Sequence, residues 1–254
     1  MTTSALEPSL LRRPLAGEVW VWWVRAGPYD AMRPAAFMNE EELARYAAIR
    51  RPGARAGFAY GCALLRVATA HHLGTAPGEI VIERHCSSCD RPHGKPRISG
   101  TDLEVSLSHT DKHIVCAVAR HTPIGIDVED GATLIDNDLL AENILAPSEL
   151  SAYRLLPDER RRTALLTWWT RKEAVLKATG DGLRIPMRHL ETSGPFEAPR
   201  LLNWTGRPLV PDDVTLFALD GAGAAAAALA VIGEPPGGLI EIDSEPALWS
   251  DLYG

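Results

Sequence analysis

Apolar positions recur along this chain with two periods. Residues 18–25 (EVWVWWVR) form a run of β-branched and aromatic residues, which predicts a strand. Val105 to His109 (VSLSH) and Ile124 to Glu129 (IGIDVE) alternate with period two, and Ile114 to Arg120 (IVCAVAR) reads as a buried partner strand. Helical spacing takes over between these stretches. Asn39 is a good N-cap, with acids in the first turn, for a helix over Asn39–Arg50 that breaks at Pro52-Gly53. Ala54 to His72 carries Phe58, Leu64, Leu65 and Val67 on a long helix ended near Gly74. In the second half, Leu139–Leu145 and Ser148–Leu155 predict short helices, the latter with Ser148 as cap. Asp158 caps a long helix that runs through Trp168 to Thr179 and stops at the Gly180–Gly182 loop. Beyond Pro186 the pattern turns strand-like over Leu201–Trp204, Val214–Leu219 and Ala225–Ile232. Residues 1–17 read as a loose arm, and the proline- and glycine-rich tail from Pro235 as a loosely held end. A weak symmetry is visible, each half running from strands to a long helix and back.

Composition narrows the function classes. A chain of 254 residues suffices for a substantial core, and its net charge of −7 argues against nucleic-acid binding as the main activity. The N-terminal stretch lacks the apolar core of a secretory signal. The alanine-rich stretch Gly221–Gly233 is too short to span a membrane, and a strand pair turning at Asp220-Gly221 explains it better. Four cysteines are too few for a disulfide scaffold at this length. A cytoplasmic protein without membrane or nucleic-acid partners is expected. Cys86 and Cys89 form a CxxC pair with His85 and His93 close by. Three readings stay open for it: a structural turn, given Arg91-Pro92 and Gly94, a metal knuckle, and a redox pair.

Two stretches carry the candidate chemistry. On strand 124–129, Gly125, Asp127 and Glu129 share one face, placing two carboxylates about 6.5 Å apart on a glycine-opened surface. Like charges so placed ask for a counter-charge, and a hard divalent cation such as Mg²⁺ binds through one or two carboxylates plus phosphate oxygens. The alternative is an exposed strand face with two acids. On the long helix, Trp169, Glu173 and Lys177 lie near one line, while Lys172 projects into the apolar stripe of Leu165, Trp168, Val175 and Leu176. A lysine there is either a snorkelling stem or a pocket residue. Asp127, Glu129 and Glu173 together make a three-carboxylate cation site. Lys95, His109, Lys172, Lys177 and the arginines Arg45, Arg51 and Arg55 supply bases for phosphate oxygens. No G-x-x-x-x-G-K-[ST] loop is present, so P-loop chemistry is excluded. The residues themselves predict metal-assisted transfer of a phosphorus-linked group.

The ordered set Gly94-Lys95-Pro96, Ser108-His109, Gly125-Ile126-Asp127-Val128-Glu129 and Trp169-x-x-Lys172-Glu173-x-x-x-Lys177 with Gly180-x-Gly182 resembles the motifs of Sfp-type phosphopantetheinyl transferases. Any one of these motifs is weak; four in order are specific. The resemblance implies an α+β, pseudo-two-fold duplicated fold, each half a mixed or antiparallel sheet packed with a long helix. Its halves would be residues 1–122, with nucleotide and phosphate contacts, and 123–254, with the metal site, together one monomer. It implies coenzyme A as co-substrate, Mg²⁺ (or Mn²⁺) as metal, and a serine of an apo acyl or peptidyl carrier protein as acceptor. Asp127, Glu129 and Glu173 match the metal ligands. Glu173 also matches the general base, acting directly or through water, and Lys177 the lysine on the pyrophosphate. Lys95, Pro96, Ser108, His109 and Lys172 match positions around the nucleotide and its phosphates. Adenosine 3′,5′-bisphosphate would leave.

The pattern has departures. Gly57 stands where the family commonly shows an arginine, which leaves Arg55 or Arg51 to meet the 3′-phosphate, with Arg45 a further cofactor-binding candidate. Thr110 replaces a commoner serine. A non-catalytic carrier-protein or coenzyme A binding module on the same fold, and a zinc-knuckle adaptor around Cys86 and Cys89, are the competing readings. Arg160, Arg161 and Arg162 are a candidate carrier-docking patch or a solvated helix turn. No residue singles out polyketide, nonribosomal peptide, fatty acid or siderophore carriers.

Overall fold

The computed structural model describes residues 12–25, 37–84, 94–130, 137–206, 211–223 and 226–244. The Cys86/Cys89 pair with His85 and His93 lies outside the described residues. Strand β1 (Glu18–Arg25) is buried from Val19 to Val24, and its alternation explains why. Trp20, Trp22 and Val24 pack on one side with helix α2 (Pro52–Leu73), against Tyr60, Leu64, Leu65 and Val67. Val19, Val21 and Trp23 face the other way, into a second sheet. A strand covered on both faces reads as a continuous apolar run.

Among the described residues, the first sheet has six strands in the order β11-β1-β5-β4-β3-β2. Its members are β2 (Ile82–Arg84), β3 (Pro96–Ile98), β4 (Leu103–His109), β5 (His113–Arg120) and β11 (Gly238–Asp243) beside β1. The second sheet is β6 (Ile124–Glu129), β10 (Ala226–Ile232) and β9 (Val214–Ala218), all antiparallel, with β6 at an edge. A small pair, β7 (Leu190–Thr192) with β8 (Leu201–Trp204), stands apart. Helix α5 (Asp158–Thr179) lies on the far face of the second sheet, where Leu165, Trp168, Val175 and Leu176 meet Leu216, Ala228 and Ala230. The layers therefore run α2, first sheet, second sheet, α5, with Ile124, Ile126 and Val128 filling the space between the sheets. The three short helices, α1 (Glu40–Ala48), α3 (Asn137–Ile144) and α4 (Pro147–Arg154), pack around these layers. This is the expected α+β class. Among the described residues, no helix is long and apolar enough to cross a membrane.

The Asn39 cap is realised in full: its Oδ1 accepts from Glu42 N–H at 2.8 Å while Glu42 reaches back to the Asn39 N–H at 3.1 Å. Helix α5 ends at Gly180 with φ of 76°, a left-handed residue that glycine adopts without strain. The alanine-rich stretch supplies the 3₁₀ segment Gly221–Gly223 and strand β10, which pairs antiparallel with β9.

Several expectations are corrected. Ser148 does not cap α4: Pro147 opens the helix, and the Glu149 carboxylate accepts from the Ala146 N–H at 2.7 Å. Asp158 is the first helical residue of α5 and not its cap, which is Pro157. The arm is fastened where it joins β1, since the Arg12 guanidinium forks onto Glu18 at 2.9 and 2.8 Å. The tail from Pro235 is not loose over its first part, because β11 lies parallel along β1, from Glu18↔Gly238 to Trp23↔Asp243. The division between residues 122 and 123 falls in the turn between β5 and β6, and β11 crosses it to join the first sheet.

One contact sets the depth of α5. An added Cβ at Gly125 would stand 2.0 Å from Ala174 O and 2.3 Å from Ala178 N, both backbone atoms of the helix. The surface opened by this glycine is thus taken by α5 itself. Gly125→Ala forces the helix off the sheet, and a loss of about 1–3 kcal/mol or more is expected. Thermal unfolding followed by circular dichroism checks this; an unchanged melting temperature refutes the contact.

Candidate active site

The site forms where α5 crosses β6 and the end of β4. Leu103, Val105 and Leu107 of β4 turn toward α2, so Ser106 and Ser108 turn toward β6. As an edge strand, β6 has backbone groups to satisfy on that side, and Ser106 Oγ accepts from Ile126 N–H at 3.0 Å. Two residues on, Ser108 Oγ donates to Asp127 Oδ1 at 2.8 Å. The same oxygen accepts from Lys177 Nζ at 2.8 Å, and Lys177 also donates to Ile126 O at 3.1 Å. One turn earlier on α5 stands Glu173.

The carboxylates are held against their electrostatic preference. Asp127 is buried, with Oδ2 lacking a hydrogen-bond partner, and Glu173 Oε2 is likewise buried and unpartnered. Burial raises the Glu173 pKa, with Lys177 opposing and Asp127 adding. Glu129 is pushed up to about 7, first by burial and then by Asp127, with Asp130 and Glu173 adding and Lys177 opposing. Buried, unpaired carboxylate oxygens sharing one place are what a divalent cation satisfies. Among the described residues, no three His, Cys, Asp or Glu side chains close into a cage of their own. The fit to a cation rests on the two orphaned oxygens, Asp127 Oδ2 and Glu173 Oε2, with Glu129 two residues along the strand from Asp127.

His109, at the end of β4, is exposed, yet the protein around it and then Lys177 hold its imidazole below its ordinary pKa. Its ring lies close to Gly57: a Cβ there would stand 3.0 Å from His109 Nδ1 and 3.3 Å from Thr110 O, so a side chain at that position needs its neighbours to give by a few tenths of an ångström.

The remaining candidates separate. Lys95 Nζ pairs with Glu104 Oε2 at 2.6 Å and donates to Ala178 O at 3.2 Å, bridging the first sheet to the C-terminal end of α5, a place that favours a cation. Pro96 is buried at the start of β3. Arg45 lies over the Phe58 ring at 5.1 Å and borders a cavity of about 280 Å³ between α1, α2 and β2, with Arg84 opposite. Arg51 reaches Asp111 at 3.4 Å on the surface, and Arg55 lies over Tyr46 at 5.5 Å. Of the three, Arg45 is the one whose charge depresses the His109 pKa.

Lys172 is not in the site. Its side chain is 0% exposed, and Nζ donates to Ile144 O at 2.7 Å and to Glu149 Oε2. Glu149 Oε1 accepts from the Thr192 N–H at 2.8 Å and its hydroxyl at 3.1 Å. The lysine therefore neither snorkels nor lines a pocket; it ties α3, α4, α5 and β7 together inside the C-terminal core. Thr110, His113 and Asp130, which close on each other beside Glu129, were not singled out from the sequence for chemistry. The signal for Asp130 was present: a third acid, directly after Glu129, in the run Asp127-Val128-Glu129-Asp130.

The family model described as the 4'-phosphopantetheinyl transferase superfamily matches residues 123–220. That stretch contains Asp127, Glu129, Glu173 and Lys177. A protein named 4'-phosphopantetheinyl transferase HetI, from Nostoc sp., is 33% identical over 215 residues, 82% of this chain and 90% of its own. One named 4'-phosphopantetheinyl transferase gsp, from Aneurinibacillus migulanus, is 31% identical over 96 residues, 37% of this chain and 38% of its own. The solved structure of Thermotoga maritima holo-[acyl-carrier-protein] synthase is 24% identical, covers 44% of this chain and 63% of its own, and has a TM-score of 0.36, too partial an overlap to carry weight.

Two outcomes are expected. Lys172→Met leaves Glu149 buried without its cation and costs about 3–5 kcal/mol of stability. The folded fraction keeps its turnover number, and a kcat loss beyond the loss of folded protein, seen by active-site titration, would return Lys172 to the site. For Glu129, whose folded pKa of about 7 lies above the ordinary carboxyl value of 4.5, the folded state holds the extra proton between those values. Metal-free stability therefore falls as pH rises through that window. Glu129→Gln removes the penalty, so the metal-free variant melts higher than wild type at pH 8 and alike near pH 4. An equal melting difference at both pH values contradicts the assignment.

Proposed function

The chain belongs to the 4'-phosphopantetheinyl transferase superfamily, and from that premise we propose that it transfers the 4'-phosphopantetheine arm of coenzyme A to a serine of an apo acyl or peptidyl carrier protein. Adenosine 3′,5′-bisphosphate is the by-product. The observation that carries this reading is the pair of buried, unpartnered oxygens, Asp127 Oδ2 and Glu173 Oε2, beside the fixed ammonium of Lys177.

Asp127, Glu129 and Glu173 would hold Mg²⁺ or Mn²⁺. Bound there, the ion would supply charge neutralisation for the diphosphate oxygens of coenzyme A. The chain's own residues do the rest. Ser108 and Lys177 share Asp127 Oδ1, which fixes one oxygen and aims the other. Glu173, with its raised pKa, is a stronger base near neutrality than an ordinary carboxylate. It takes the proton of the carrier serine, directly or through a water. The serine oxygen forms a bond to the β-phosphorus of coenzyme A as the bond from that phosphorus to the bridging oxygen breaks. The electron pair of that bond leaves on the α-phosphate of adenosine 3′,5′-bisphosphate. Lys177 is held by two contacts of its three-proton ammonium, leaving a donor for the charge that develops on the leaving group. His109, whose imidazole feels the charges of Lys177 and Arg45, would donate to a phosphate, and Arg45 with the neighbouring cavity would take the nucleotide end.

The test is to incubate the protein with coenzyme A, Mg²⁺ and an apo carrier protein and to weigh the carrier. A gain of one phosphopantetheine group, abolished by EDTA and restored by Mg²⁺ or Mn²⁺, is expected. Glu173→Gln slows the gain by about 10²–10⁴-fold. Coenzyme A binding with no mass gain on any carrier identifies a binding module instead.

A further inference from the structure

A second group of polar side chains closes on itself at the end of β6. Asp130 directly follows Glu129. Its Oδ1 lies 2.5 Å from His113 Nδ1, and its Oδ2 accepts from the Thr110 hydroxyl. Thr110 is itself fixed in the turn between β4 and β5. Its N–H donates to His113 O at 2.8 Å, and its Oγ1 accepts from the His113 N–H at 2.9 Å and the Lys112 N–H at 3.1 Å. The side chains of His113 and Asp130 are only 8% and 10% exposed. The group spans both sheets, since the turn belongs to the first and Asp130 continues β6 of the second.

Position gives this group its meaning. Glu129 opposite Ala226 is the last pair of the β6–β10 ladder, so Asp130 stands past it. Among the described residues, no hydrogen bond holds the Glu129 carboxylate itself. Asp130, one residue on, is held by two partners, and the turn that anchors it also carries Ser108 and His109 on its other limb.

We propose that Thr110, His113 and Asp130 are positioning residues that hold Glu129 beside Asp127 and so set the affinity of the site for its divalent cation. This rests on the reading of Asp127, Glu129 and Glu173 as cation ligands. The competing account is a fastening between the sheets with no bearing on the cation. The two differ in what they predict for the metal-binding constant, as distinct from stability.

The experiment titrates the full chain with Mn²⁺, following free ion by electron paramagnetic resonance, and records melting temperatures in parallel. Removing outer partners of metal ligands typically weakens binding by about 10–100-fold, and Asp130→Ala is expected in that range. Thr110→Val, which removes one of the two holds, weakens binding less. Asp130→Asn, which keeps the shape and an acceptor, restores affinity to within a few-fold of wild type. A lower melting temperature with an unchanged Mn²⁺ dissociation constant in Asp130→Ala overturns the proposal. So does Asp130→Asn binding as weakly as Asp130→Ala, since charge and not anchoring would then be at work. If Asp130→Ala does not fold, Thr110→Val decides on the same criterion. A wild-type chain that binds no Mn²⁺ overturns the cation reading and this inference with it; wild-type binding equalled by the variants overturns this inference alone.

Discussion

At Gly125 the backbone of α5 rests on the backbone of β6 with no side chain between them, and the carboxylate arrangement depends on that approach. Residues four apart on a helix rise about 6 Å, and residues two apart on a strand about 6.6 Å. The two spacings nearly match. Pressing the helix onto the strand therefore sets Glu173 and Lys177 alongside Asp127 and Glu129 without distorting either element. A β-carbon at position 125 would separate the layers, and a longer lysine would not compensate, because Lys177 also needs Ile126 O.

The cost of gathering acids there is carried by stiff surroundings. Glu129 and Glu173 are less willing to ionise than ordinary carboxyls, and two carboxylate oxygens lack partners. A flexible frame would relax and let water in. Here α5 is anchored on its other side by the buried Lys172–Glu149 pair, and its end is met by Lys95 at Ala178 O. Adjacent residues of one helix thus have opposite duties. Lys172 is neutralised inside the protein so that α5 stays in place, and Glu173 is left unsatisfied so that it can bind and react.

Much of this was legible in the chain because it is written in local periods. The alternation of IGIDVE fixes which side chains share a face, and that face is the one turned to α5. Asn39 and Gly180 announce helix ends through their own backbone preferences. What was not legible needs a partner distant in sequence. Nothing near Lys172 names Glu149, 23 residues earlier, as its counter-charge. Ser148 looks like a cap until Pro147 and Glu149 are seen to do the work around Ala146. Strands of three residues, such as β2, β3 and β7, are too short to show a period. Gly57 reads as a missing arginine, and only the fold shows that the His109 ring lies beside it.

Strand β11 bears on how the molecule assembles during synthesis. It pairs with β1 across some two hundred residues, the Trp23 indole donating to Glu241 Oε2 at 2.8 Å and Ser244 N–H to Trp23 O at 2.7 Å. Until β11 leaves the ribosome, β1 is an edge strand with six consecutive apolar residues and unpaired backbone groups, the kind of surface that pairs with other chains. Such long-range closure is slow to form. The nascent first sheet therefore spends most of translation with its most hydrophobic strand uncovered on one edge, the interval in which the chain is most exposed to aggregation.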